Sequence, residues 1–378
     1  MVYRVNGKNM LSLDLNKQYQ RIKEKVDKRL QKVIDEGQFI LGPEVDELEK
    51  QLTSFVGVKH CVSVGNGTDA LMMALMALNV QHGDEVITTA FTFAAPAEAI
   101  CLIGAIPVFV DIDPSTYTMD PDGIELAITD KTKAILVVSL FGQCADFDRI
   151  NRLAGEKGIP VIEDAAQSFG ATYQGRYSCN LSNIACTSFF PSKPLACYGD
   201  GGACFTDDPV LAARLRQIRA HGQTDRYQHV SLGMNSRLDT LQAAVLLEKL
   251  TIFPEEIVWR NELALAYGAS LNDEIKAPVV RFDNTCVFAQ YTVEVAKRDE
   301  LKNFLKTRQI PAVIHYPKPL YQQLAFRDRC KIVGSMQHTE YAVSCVLSLP
   351  IHSYMEKQEI RCIVDAINEF YFPVCANF

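Results

Sequence analysis

The sequence predicts an α/β fold: a mostly parallel, seven-stranded sheet flanked by helices, with a smaller C-terminal α+β domain. Three observations carry this. Short apolar runs alternate with helical patterns from about residue 61 to about residue 220. Such alternation marks a parallel sheet covered on both faces. The chain has 378 residues, more than one hydrophobic core usually spans. Beyond about residue 277 the pattern becomes irregular, with one clear strand pattern at 291–295. We place the large domain at 1–250, including an N-terminal helical segment, and the small one at 251–378.

The elements follow in order. Tyr19, Ile22, Val26, Leu30 and Val33 recur at helical spacing and stop at Gly37, which suits a helix end. A second amphipathic helix follows Pro43, carries Val45, Leu48, Leu52 and Phe55, and ends near Gly57. The apolar loop between them, 38–42, is read as packing. Strands are expected at 61–64, 86–89, 108–111, 134–138, 161–164, 186–189 and 203–206. Helices at 69–78, 95–103, 146–157 and 209–220 fit between several of them. The last two strands lie close together, so at least one antiparallel pairing is expected. A long helix runs from 238 to about 250, and Pro254 separates it from another.

Composition narrows the function. Apolar residues make up 48% and charged residues 22%, ordinary for a globular enzyme. The net charge of -7 offers nothing to nucleic acid or an anionic membrane. No run of about twenty apolar residues, the length of a membrane span, is uninterrupted. The segment 86–110 comes nearest, and Thr88, Thr89, Glu98 and two prolines break it. Twelve cysteines are scattered from Cys61 to Cys375. They form no Cys-x-x-Cys pair and no His cluster at zinc spacing, and the N-terminus carries no apolar signal core. Free, mostly buried thiols in a cytoplasmic protein without a metal are expected.

Three motifs carry chemistry. Lys193 lies in Ser192-Lys193-Pro194, within a Gly-flanked loop after a short apolar strand. A lysine there suits a Schiff-base nucleophile, although a lone lysine is more often a solvated surface residue. Asp164 ends the apolar strand Val161-Ile-Glu-Asp164. A buried carboxylate needs a partner. A pyridinium nitrogen is one such partner, and a helix start is the bland alternative. Gly65, Gly67 and Thr68 precede a helix expected near Asp69. Free N–H groups at a helix N-terminus can bind phosphate, and a plain cap by Thr68 or Asp69 is the common alternative. Together the motifs supply a carbonyl trap, an acid for a ring nitrogen and a phosphate cradle. Those are the protein-side needs of pyridoxal 5'-phosphate. Ligands of such sheets bind beyond the carboxyl ends of the strands, where Asp164 and the Lys193 loop fall.

With these motifs in order, from about residue 40 to about residue 321, the chain resembles the DegT/DnrJ/EryC1/StrS sugar aminotransferases. The resemblance implies the pyridoxal-phosphate transferase fold type I. It implies that Gly67, Thr68 and Ser188 hold the cofactor phosphate, that Gln167 sits near the ring hydroxyl, and that the loop 38–42, whose plain role is packing, lies near the active-site entrance. It chooses Phe93 over Phe91 to stack on the ring. Gly233-Met-Asn-Ser-Arg237 resembles a segment that crosses a dimer interface. Asn235 would then touch the neighbour's cofactor phosphate, and Arg237 would enter the neighbour's substrate site. Arg suits bidentate recognition of carboxylate or phosphate. His315 and Tyr316 resemble a substrate-contacting pair. Arg219-Ala-His-Gly222 is a weaker candidate, read as structural.

The Ser-Lys-Pro context further resembles enzymes that aminate UDP-2-acetamido-2-deoxy-3-oxo-glucuronic acid during lipopolysaccharide O-antigen synthesis. Glutamate is the donor that the resemblance implies, and a homodimer with shared sites the assembly. Sugar 3-dehydratases of the same fold carry histidine in place of the lysine, and Lys193 argues against them. A 4-keto-sugar aminotransferase and a cofactor-binding regulator without turnover are the alternatives.

Overall fold

A computed structural model describes residues 10, 11 and 13–372. Two helices lead in, α1 (Leu15–Glu36) and α2 (Pro43–Val56). Next come β1 (His60–Val64), α3 (Gly67–Ala77), β2 (Glu85–Thr89), α4 (Ala95–Leu102) and β3 (Ile106–Val110). They are followed by α5 (Ile124–Ala127), β4 (Thr132–Val138), α6 (Phe147–Glu156) and β5 (Val161–Asp164). A small hairpin, β6 (Thr172–Tyr173) and β7 (Arg176–Tyr177), precedes β8 (Ile184–Ser188), β9 (Gly202–Thr206) and α7 (Pro209–Arg219). A second hairpin, β10 (Gln223–Asp225) and β11 (Gln228–His229), leads to α8 (Thr240–Leu250) and α9 (Phe253–Gly268). The chain ends in β12 (Ile275–Lys276), β13 (Tyr291–Val295), α10 (Arg298–Thr307), β14 (Lys331–Ile332), α11 (Gln337–Cys345), β15 (Val346–Leu349) and α12 (Lys357–Tyr371).

Among the described residues the main sheet has eight strands, not seven, in the order β1-β9-β8-β5-β4-β2-β3-β14. The added edge strand β14 is two exposed residues long. It pairs parallel to β3 through Lys331↔Val108 and Ile332↔Phe109. A strand that short has no periodicity to read. Only β9 runs against its neighbours, β1 and β8, so the expected antiparallel pairing is present. Every residue of β2, β8 and β9 is buried.

Local chemistry sets the helix ends. The Asp14 carboxylate accepts the Lys17 N–H at 2.9 Å to open α1, and Gly37 closes it at φ 67°. Pro43 lies in the first turn of α2, where its missing N–H costs nothing. The helix α3 starts two residues earlier than its sequence pattern suggests, because Asn66 caps it. Its side chain accepts the Asp69 N–H at 2.8 Å. Pro254 lies in the first turn of α9, just after the break from α8.

Helices α3, α4 and α7 cover one face of the sheet, with Leu71, Leu75, Ile100 and Leu215 in the core. The other face is covered by α2 and α8 at one end and by α5 and α6 at the other. A second, antiparallel sheet, β12-β13-β15, has its own core with α9, α10 and α12, built on Tyr267, Val293, Leu301, Leu347 and Ile363. The loop 38–42 is not packed as expected: Phe39, Ile40 and Leu41 are 45%, 48% and 41% exposed. It is held by its backbone instead, with the Phe39 carbonyl accepting the Thr240 N–H. The eleven described cysteines are free and mostly buried; Cys375 lies outside the described residues. Among the described residues, no helix is long and apolar enough to cross a membrane.

Candidate active site

A cleft of about 460 Å³ opens beyond the carboxyl ends of β4, β5 and β8, with Gln290, just before β13, and the segment 315–316 opposite. Gly67, Thr68, Phe93, Asp164, Gln167, Ser188, Lys193, His315 and Tyr316 all line it. The sequence spreads these residues over some 250 positions. The sheet topology brings them together.

At one end, the start of α3 abuts the end of β8. A Cβ on Gly67 would lie 2.7 Å from the Ser188 Cβ, so only glycine allows this approach. The first N–H groups of a helix have no intrahelical acceptor. Asn66 takes that of Asp69. No hydrogen bond among the described residues uses those of Gly67 and Thr68. Two free N–H groups, the Ser188 hydroxyl and the positive end of a helix dipole form an anion cradle.

At the middle, Asp164 is 6% exposed. No helix starts at Asp164; its carboxylate accepts the Ala166 N–H at 3.0 Å. Burial raises its pKa, while the Ala166 N–H and the Lys193 charge pull it back down. Burial lowers the pKa of Lys193, and the Asp164 charge opposes that. An amine held below its ordinary pKa by partial burial is a better nucleophile at neutral pH. The Lys193 loop is tied to itself: its N–H donates to the Phe190 carbonyl at 2.8 Å, and Phe189 and Gly201 close its base. Phe93 is 57% exposed, whereas Phe91 is buried in the core.

The third part is a hydrogen-bonded bridge. Gln167 Oε1 accepts the Phe141 N–H at 2.9 Å, and Gln167 Nε2 donates to the Tyr316 hydroxyl at 3.2 Å. The first bond fixes the amide orientation, because only the oxygen can accept a backbone N–H. Burial pushes the Tyr316 hydroxyl up to about 12. It therefore keeps its proton and can donate it into the cleft. His315 Nδ1 lies 2.9 Å from Ser348 Oγ. Burial, and then the Lys193 charge, lower its pKa.

Two expected residues lie outside this cleft. Asn235 is exposed, and Arg237 Nη2 donates to its Oδ1 at 2.6 Å. Arg237 Nε is buried without a partner. Their segment runs behind the phosphate turn, where Ser236 Oγ accepts the Gly65 N–H at 3.1 Å. Arg219 is structural, as read. Its guanidinium donates to Glu49 at 2.7 Å and to the Ser63 carbonyl at 3.1 Å.

Among the cleft residues that sequence reasoning did not assign, three polar ones carry the argument. Asn66 had a signal, since asparagine is among the best caps and stands three positions before Asp69. Thr92 and Gln290 had none. Both line the cleft, and Thr92 Oγ1 and Gln290 Oε1 are buried without a partner. Such atoms need a ligand or water.

These features fit pyridoxal phosphate on the chain's own geometry. A glycine-only cradle with free N–H groups fits its phosphate, a buried carboxylate fits its ring nitrogen, and a depressed lysine fits its carbonyl. The fold and cleft thus define a pyridoxal-phosphate enzyme of fold type I. The DegT/DnrJ/EryC1/StrS aminotransferase family profile matches residues 20–368. The chain is 55% identical to the UDP-2-acetamido-2-deoxy-3-oxo-D-glucuronate aminotransferase of Pseudomonas aeruginosa, over 94% of this chain and 98% of that one. It superposes on a DegT DnrJ EryC1 StrS aminotransferase from Brucella abortus with a TM-score of 0.94, at 42% identity, covering 96% of this chain and 100% of the other. It also matches NtdA from Bacillus subtilis with bound cofactor PMP, with a TM-score of 0.85 at 31% identity, covering 92% and 82%. The chain belongs to the DegT/DnrJ/EryC1/StrS aminotransferase family, and its cofactor is pyridoxal phosphate.

Proposed function

We propose that this chain moves an amino group from glutamate to the keto carbon of UDP-2-acetamido-2-deoxy-3-oxo-glucuronate, giving the 3-amino sugar for O-antigen synthesis in the cytoplasm. The observation that carries the reaction type is a half-buried Lys193 and a buried Asp164 lining one cleft, each charge opposing the effect of burial on the other. The sugar rests on likeness to the Pseudomonas aeruginosa relative and on the Ser192-Lys193-Pro194 context.

Bound pyridoxal phosphate supplies a carbonyl for an amine and a ring that withdraws electrons from the adjacent carbon. Lys193 Nζ holds that carbonyl between turnovers. Once displaced by the amino donor, Nζ would take the proton from the donor's α-carbon and return it to the carbon that had been the cofactor's carbonyl, on the far side of the nitrogen. Asp164 stays ionised against the ring nitrogen and keeps it protonated. Gly67, Thr68 and Ser188 anchor the phosphate, Phe93 covers a ring face, and Gln167 orients Tyr316. His315 and Tyr316 contact the sugar.

The assembly we propose is a homodimer in which Asn235 and Arg237 complete the neighbour's cleft. Arg237 then reads the uronate carboxylate of the sugar. The exposed Tyr227, Val230 and Leu232, at 76%, 61% and 87%, support an interface on this side. We also propose the division into 1–250 and 251–378. Separate cores support it, although β14 reaches back to the main sheet.

The test is an assay of UDP- and dTDP-linked keto sugars with glutamate, the unstable 3-keto acid being generated in place by a dehydrogenase. Preference for the UDP 3-keto-uronate is expected. Preference for a dTDP-4-keto sugar overturns the substrate and leaves the aminotransferase reading intact. Mixing inactive Lys193→Ala and Arg237→Ala chains under subunit exchange is expected to restore activity. No recovery despite demonstrated exchange places Arg237 in its own subunit's site.

A further inference from the structure

His315 is joined to a short chain of hydroxyls in the second sheet. Ser348 Oγ, on β15, lies 2.9 Å from His315 Nδ1 and 2.8 Å from Thr292 Oγ1 on β13. The strands pair directly there, Thr292 opposite Ser348. Ser348 is 5% exposed and Thr292 1%, so solvent does not serve these hydroxyls. No other hydrogen bond among the described residues uses either hydroxyl or His315 Nε2.

The hydrogens must be accounted for. There are two hydrogen bonds in the chain and two hydroxyl hydrogens. If Thr292 donates to Ser348, and Ser348 donates to His315 Nδ1, both hydrogens are used. If His315 Nδ1–H donates instead, one hydroxyl hydrogen is left in a buried site without an acceptor. A stranded buried donor disfavours that arrangement by about tenfold or more. The ring nitrogen that accepts is the one without a proton.

We infer that Ser348 is a positioning residue that sets His315 as the Nε2–H tautomer, so that the imidazole offers a donor to an oxygen of the bound sugar. This rests on reading the cleft as the substrate site. His315 lines that cleft, with Nδ1 engaged behind it by Ser348. The group it recognises is an oxygen acceptor, such as a carboxylate or a keto oxygen. Lys193 and the Tyr316 ring, centred 5.6 Å away, are its neighbours in the cleft. Burial favours the neutral imidazole, the only form in which a tautomer has meaning.

The test is solid-state NMR of holoenzyme labelled with 15N-histidine at neutral pH, with the His315 signals identified by their loss in His315→Gln. The expected result is a bare Nδ1 and a protonated Nε2. Thr292→Val removes the alternative acceptor of the Ser348 hydrogen and is expected to keep this tautomer. Ser348→Ala removes the donor, so the tautomer ratio is expected to fall about tenfold, with a rise of similar size in KM for the keto sugar. Ser348→Thr restores the hydroxyl and both readings. A protonated Nδ1 in the wild type, or a tautomer that flips in Thr292→Val, overturns the inference even if Ser348→Ala does not fold. If the tautomer is as inferred and no keto sugar turns over, the proposed function fails alone. If the sugar turns over with Nδ1 protonated, this inference fails alone.

Discussion

The two walls of the cleft are built differently. The wall from the main sheet, with Gly67, Asp164, Ser188 and Lys193, is made of strand ends, a helix start and a loop closed by backbone hydrogen bonds. The opposite wall, with Gln290, His315 and Tyr316, is anchored by backbone pairing nearby, Tyr291↔Leu349 and Val313↔Ser348, but its cleft-facing groups are oriented by side chains. Gln167 reaches across to Tyr316 at 3.2 Å, and Ser348 supports His315 at 2.9 Å. Backbone bonding fixes position whatever the neighbouring side chains are. Side-chain bonding fixes position only while those residues are kept. Damage on the first wall should therefore appear in turnover and cofactor binding, and damage on the second in substrate affinity.

The largest effect belongs to Lys193→Ala. It removes both the nucleophile and the proton carrier, so turnover should fall by about 10²–10⁴-fold or more. Thermal melting should be little changed. Near-normal steady-state turnover would break the comparison at its root.

Asp164→Asn comes next. It keeps the shape and loses the charge that supports the ring nitrogen. The single-turnover rate with glutamate should drop about 10²-fold, and cofactor affinity much less. An unchanged rate would make Asp164 no more than a turn residue for Ala166.

Gly67→Ala tests the cradle. The new Cβ meets Ser188 at 2.7 Å, and overpacking of this kind costs about 1–3 kcal/mol. Cofactor titration should show affinity reduced about tenfold, whereas wild-type affinity would mean that β8 yields freely.

On the second wall, Tyr316→Phe leaves the Gln167 amide without its partner. The expected change is about a fivefold rise in KM for the keto sugar. A loss confined to kcat would move Tyr316 to the first wall's kind of role.

The smallest effect concerns Glu163, which precedes Asp164 in sequence and is fully buried. Burial raises its pKa to about 7, although Ser178, Cys179 N–H and Ser139 all donate to it. A carboxyl pKa raised on folding means that the folded state holds the proton more tightly. Its contribution to stability is complete below the ordinary value of 4.5 and is lost as pH rises through about 7. Melting curves between pH 5 and pH 8 should show wild type losing stability relative to Glu163→Gln. Parallel curves would show that Glu163 does not titrate there.

Parts of the first wall were legible as local patterns, whereas on the second wall His315 and Tyr316 were named only through the family resemblance. A strand-end Asp164, a Gly-flanked Lys193 and a Gly-Asn-Gly-Thr turn are local patterns, and each follows from backbone geometry. Gln290 and Thr92 matter because an atom of each lacks a partner, which only the folded chain reveals. Ser348 stands 33 positions from His315, and no short-range pattern links them. The missing strand β14 follows the same rule. Lys331 is placed by a bond to the buried Glu85 carboxylate, 246 positions away. The first helix, by contrast, ended at Gly37 as its periodicity implied.

The Lys193 loop has one more consequence. Its ends are fixed by Ser188↔Gly202 and Thr187↔Ala203 across two antiparallel strands. One inserted residue that slipped this register would turn every following side chain of β9 to the opposite face of a fully buried strand. Insertions and deletions are thereby filtered out of the part of the chain that handles the amine. The opposite wall has its own register, Tyr291↔Leu349 and Thr292↔Ser348, but His315 and Tyr316 lie outside those strands. Changes that alter the sugar contacts without touching β8 and β9 leave this register, and with it the placement of the amine, undisturbed.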